Sequence, residues 1–132
     1  MSWESSPYAI TPLKLQKLLY YAQGFYLRNN EQPLFDEDLI AMDYGPVNQE
    51  VYEKYKKHKY RTIPEKPFVD KEKLTHEERM AIIEAWNEFG DLDGKTLEEL
   101  TQQEDPWLFT PKDQVIEVKL ISKYFKEQLD FG

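Results

Sequence analysis

His58 and His76 are the residues of this chain best suited to moving a proton or holding a metal near neutral pH. Neither has a second histidine at the spacing of a zinc-binding helix, and the chain has no cysteine to complete a site. His76-Glu77 begins like a zinc-protease pattern, but Met80 stands where the second histidine belongs. Asp91-Leu92-Asp93-Gly94 hints at a calcium loop. With Gly94 as the required glycine, Phe89 falls on the first ligand and Leu100 on the bidentate glutamate, so a turn between helices is the better reading. The five glycines are not spaced to wrap a phosphate, and no serine sits in a nucleophile elbow. The carboxylates fall mostly on polar helix faces, where they are ordinarily solvated. The expectation is a protein that is not an enzyme, with no catalytic residues, no metal and no cofactor.

One charge cluster remains. Lys54, Lys56, Lys57, His58, Lys59 and Arg61 are interleaved with Tyr55 and Tyr60. Basic residues alternating with aromatics can bind nucleic acid. Cations also gather at helix C-termini, where they oppose the negative end of the dipole. A third use is steering an acidic protein surface into contact. The chain as a whole carries a net charge of -8, so specific DNA binding is not expected.

These residues need a scaffold, and 132 residues suffice for one domain with its own core. Absence of cysteine fits a reducing compartment, and no stretch is apolar or long enough to span a bilayer. The N-terminal residues lack the basic-then-apolar pattern of a secretory signal. A cytoplasmic location with no membrane partner is expected. Aromatics at 14% argue for a packed fold rather than acidic disorder.

Residues 1–9 read as an N-terminal arm and residues 10–130 as the domain. Thr11-Pro12 opens a helix, the threonine capping free amides and the proline suiting the first helical position. Leu15, Leu18, Leu19, Ala22, Phe25 and Tyr26 form its apolar stripe, and Asn29-Asn30 mark its end. Leu39 to Met42 is short and apolar, either strand or helical turn. Gly45-Pro46 reads as a turn, followed by a helix over 47–58 with Val47, Val51 and Tyr55 on one side. Thr75-His76-Glu77-Glu78 is a capping box opening a helix with Ile82, Ile83, Trp86 and Phe89 inward, ended by Gly90. Thr96-Leu97-Glu98-Glu99 is a second such box, and Asp105-Pro106-Trp107 breaks the helix it starts. A last helix over 117–129 presents Leu120, Ile121, Tyr124 and Phe125. The predicted class is mainly α, a compact single-domain bundle of five helices with at most a small β element. Leu18, Leu19, Ile83, Trp86 and Trp107 are the expected core.

Three segments in order carry a resemblance. They are Thr11 to Gly24 (TPLKLQKLLYYAQG), then Tyr44-Gly45-Pro46-Val47 with Val51-Tyr52, then Leu97 to Thr101 with Glu104 to Trp107. Together they resemble the Panacea domain, also described as the SocA-like or phage-associated GepA-like family. The resembling residues include Leu15, Lys17, Leu18, Tyr20, Tyr21, Tyr44, Gly45, Pro46, Val47, Tyr52, Pro106 and Trp107. Where the family usually has alanine–tryptophan before Gly-Pro-Val, this chain has Ala41-Met42; where it usually has histidine after the threonine of the third segment, this chain has Gln102.

The resemblance implies an antitoxin-like protein-binding domain of a bacterial or prophage toxin–antitoxin pair. Its partner would be a cognate toxin, neutralised by direct complex formation. SocA-like members imply an alternative, a proteolytic adaptor delivering a bound toxin to the ClpXP protease. A third reading, from another class, is a nucleic-acid-binding prophage regulator using the basic cluster. As partner-binding residues, Tyr52, Tyr55, Lys56, Lys57, Lys59, Tyr60 and Arg61 are expected, because tyrosine buries a large ring at little rotamer entropy.

Overall fold

The structure, a computed structural model, describes residues 8–55 and 74–128. Thr11 Oγ1 accepts from the Lys14 amide at 3.3 Å and starts α1 (Pro12–Asn30), with proline in its first turn. Glu31 closes the helix in the left-handed region at φ 58°, its N–H bonded to the Leu27 carbonyl. A β hairpin follows, β1 (Leu39–Met42) antiparallel to β2 (Gly45–Asn48), with Ile40 opposite Val47 and Met42 opposite Gly45. The turn is therefore Asp43-Tyr44, and Gly45-Pro46 lies in the strand. Gly45 at φ 108° takes a conformation that L side chains avoid. Val47, expected in a helix, is a strand residue, and α2 (Gln49–Tyr55) starts two residues later. The remainder of the expected 47–58 helix lies outside the described residues.

α3 (His76–Phe89) opens on the capping box as read, the Thr75 hydroxyl taking the Glu78 amide and the Glu78 carboxylate the Thr75 amide. Its inward face differs in one respect. Ala81 and Ala85 are buried against the core, Ile82, Trp86 and Phe89 pack beside them, and Ile83 is 46% exposed. Small residues let this helix approach α1 closely, which turns position 83 outward. The next cap also differs. Asp93, not Thr96, caps α4 (Gly94–Thr101), its carboxylate accepting the Thr96 amide at 2.8 Å. Asp105-Pro106-Trp107 does not merely end that helix but forms the one-turn α5 (Asp105–Leu108), so the described residues hold six helices rather than five. α6 (Val118–Gln128) buries Ile121 and Phe125, with Leu120 and Tyr124 half-buried.

α1 is the axis of the domain and packs on α3, α4, α6 and β2. Its burial is not a stripe. Lys14, Gln16, Lys17, Tyr20, Tyr21 and Gln23 are buried together with Leu15, Leu18, Ala22, Phe25 and Leu27, so neighbours surround it. The core is largely aromatic: Tyr21 stacks on Phe89 with ring centroids 3.9 Å apart, and Phe25 meets Phe125 edge-on at 5.4 Å. Gly24 allows this approach, since a Cβ there would lie 2.2 Å from the Phe125 ring. Of the expected core, Leu18 is buried, and Leu19, Trp86 and Trp107 are half-buried.

Candidate functional site

A helix surrounded by protein must satisfy its polar side chains internally, and α1 uses them to hold backbone. Gln16 grips Asn48 twice, donating to its carbonyl at 3.0 Å and accepting its amide at 2.7 Å. Lys17 Nζ donates to the Pro46 carbonyl at 3.2 Å and lies 5.5 Å over the Tyr44 ring. The match is chemical: Pro46 has no N–H, so this position of the strand edge offers only an acceptor. Lys14 Nζ donates to the Gly90 carbonyl, and Gln23 holds the backbone of Leu34 and Phe35. Burial draws the Lys17 amine down to about 7, against an upward pull from Glu98. Lys14 is also lowered, mainly by burial, with Asp91 and Asp93 opposing.

The other buried polar group is a carboxylate clamp. Glu104 Oε1 accepts from the Tyr20 hydroxyl at 2.9 Å and Oε2 from the Tyr21 hydroxyl at 2.7 Å. Burial pushes Glu104 up to about 7 while the two hydrogen bonds pull it down. Both tyrosines are held far above the ordinary phenol range, first by burial and then by the Glu104 charge. A perturbed carboxylate can be an acid catalyst. Here both oxygens are engaged inside the core, which is the chemistry of a structural joint between α1 and the start of α5.

The resembling residues thus form a frame. Leu15, Lys17, Leu18, Tyr20 and Tyr21 are buried on α1; Gly45, Pro46 and Val47 are buried on β2, with Tyr44 half-buried under Lys17. Pro106 is buried and Trp107 half-buried on α5. The Trp107 indole donates to the Met42 carbonyl at 2.7 Å, and Gln102, in the usual histidine position, donates to the Asp43 carbonyl at 2.6 Å. Both bonds pin the hairpin tip. Tyr52 on α2 is half-buried, as is Tyr55, which packs on Ile10 and Leu15. Lys56, Lys57, Lys59, Tyr60 and Arg61 lie outside the described residues.

The surface holds what sequence reasoning missed. Leu108 is 51% exposed and Phe109 69%, side by side at the end of α5. Leu108 also lines a cleft of about 230 Å³, with Met42 and Asp43 of the hairpin and Trp107, Thr110 and Lys112. That volume is below the ~300–1,000 Å³ usual for small-molecule sites and suits one bulky side chain. The signal available in the sequence was Leu-Phe directly after the Pro-Trp of a helix too short to bury them. A wider groove of about 470 Å³ runs along α6 and the end of α1, lined by charged residues including Lys119, Lys123 and the paired Lys126 and Glu31.

Among the described residues no cluster of three histidine or acidic side chains is placed to hold a metal, and no helix is long and apolar enough to cross a membrane. No curated protein and no solved structure matches the chain. One family model does, described as "Antitoxin SocA-like, Panacea domain", and it matches residues 15–108. That span runs from α1 through Leu108 and takes in the hairpin, the Glu104 clamp and the Trp107 tether, so the chain belongs to the SocA-like antitoxin family with a Panacea domain.

Proposed function

We propose that this chain is an antitoxin that silences its toxin by holding it in a stable complex. The observation that carries this reading is the antitoxin family match across residues 15–108. It is supported by chemistry: Lys17 and Glu104, both brought to about 7, are buried and engaged in structure, while bulky apolar residues stand exposed. Exposed apolar side chains beside rigidly held ones are what a protein partner can use as anchors.

The test is co-expression with the adjacent open reading frame. The neighbour alone should arrest growth, this chain should restore it, and affinity purification should recover both proteins. Rescue with no detectable complex, in cells with and without ClpXP, would defeat the direct-binding mechanism. Rescue lost only when ClpXP is absent would move the function to delivery of a bound toxin for proteolysis.

A further inference from the structure

We infer that the Leu108–Phe109 step and the cleft beside it form the toxin-docking surface, and that it takes a segment presenting one bulky apolar side chain flanked by lysine or arginine. This rests on the proposed antitoxin reading and adds the contact face and the partner's chemistry.

Three observations converge. The first is exposure without need: Leu108 and Phe109 are 51% and 69% exposed, although Pro106 and Trp107, in the same turn, are turned inward. A one-turn helix has room to bury one side, so the sequence could have placed polar residues on the other.

The second is rigidity. The cleft wall formed by the hairpin tip is tied at four points. Trp107 Nε1 bonds the Met42 carbonyl, and Gln102 bonds the Asp43 carbonyl. The Asp113 amide bonds the Ala41 carbonyl, and Lys112 pairs with Asp43 at 3.0 Å. A surface already fixed in shape loses little freedom on binding, which raises affinity per contact.

The third is charge. Residues 105–117 contain one cation, Lys112, and Asp43 engages it. Asp43 lines the cleft, and the exposed Asp113 sits against its wall, its amide bonded to Ala41 and its charge beside Lys112, in a chain of net charge -8. An apolar anchor with an acidic rim complements an apolar side chain with basic flanks, and opposite charge raises the rate of encounter.

The experiment measures binding of the full chain to the purified toxin from the adjacent open reading frame by biolayer interferometry. Phe109→Ala and Leu108→Ala should each weaken the complex at least about tenfold, equivalent to ~1.4 kcal/mol. Asp113→Asn, which keeps a residue tolerant of its positive φ of 66°, should slow association and flatten its salt dependence. Ile83→Ala on α3 should stay within about twofold, inside the ±0.5 kcal/mol of an uninvolved surface site. Unchanged melting temperatures would show that Phe109→Ala and Leu108→Ala act on the contact and not on the fold. Wild-type affinity in both, with loss in Tyr52→Ala, would overturn this surface and leave the antitoxin reading standing. A wild-type chain that does not hold the toxin at all would sink both.

Discussion

Replacing Glu104 by glutamine should change how stability depends on pH. Burial pushes this carboxyl from 4.5 up to about 7, against the pull of two tyrosine hydrogen bonds. Between those values the folded chain keeps a proton that the unfolded chain has released, so raising the pH favours unfolding. The group's penalty is absent below the lower value, grows as pH rises and is complete above the upper one. At ~1.4 kcal/mol per pH unit the span corresponds to about 3 kcal/mol. Glutamine offers one acceptor and one donor, as the protonated acid does, so one of Tyr20 and Tyr21 donates and the other accepts. Urea melts of both proteins near pH 5 and near pH 7.5 test this. Glu104→Gln should gain about 2–3 kcal/mol relative to wild type between the two conditions. Asp93 and Glu31, both held low, by hydrogen bonds from the Thr96 amide and from Lys126, titrate alike in the two proteins and cancel. Parallel pH profiles, or a glutamine variant weaker by the same amount throughout, would refute the reasoning.

Lys17→Met should act on the alkaline side: the buried amine is lowered to about 7, so wild type gains stability as pH rises from there toward 10.5, and the methionine variant should lack that rise in melts between neutral pH and pH ~10. Gly45→Ala should destabilise by at least ~2 kcal/mol in denaturant melts, because φ is 108° and the new Cβ would sit 2.7 Å from Thr101 Oγ1. Leu18→Ala should lose ~2–5 kcal/mol from the buried axis. Ile83→Ala should change the same melt by less than ~0.5 kcal/mol.

Local signals were readable and long-range ones were not. Thr11-Pro12 and Thr75 with Glu78 act within three residues, so their caps could be read directly. In the pattern Ile83 reads as inward because its hydrophobicity outweighs that of Ala81 and Ala85, whereas close helix packing favours the smaller residues. Lys14, Gln16, Lys17 and Gln23 look solvent-facing in sequence, since their partners lie 11 to 76 residues away. Glu104 is the same case, bonded to tyrosines more than 80 residues earlier. The resemblance located these frame residues without showing why they matter. The exposed Leu108 and Phe109 went unseen because exposure follows from how α5 sits, and four helical residues carry no periodicity.

The hairpin's outer edges are both closed. On the β2 side Gln16 takes the Asn48 amide and carbonyl, and Lys17 takes the carbonyl of Pro46, which has no amide to offer. On the β1 side Ala41 bonds the backbone of Asp113 and Gln114, and Leu39 that of Ile116. Among the described residues these bonds occupy both edges of the sheet, where a partner would add a strand. Strand addition reads mostly backbone and tolerates many sequences, so closing it shifts recognition onto surface side chains. On the docking surface proposed above, substitutions around Phe109 would retune which protein is bound while the buried frame of Lys17, Gly45 and Glu104 stays as it is.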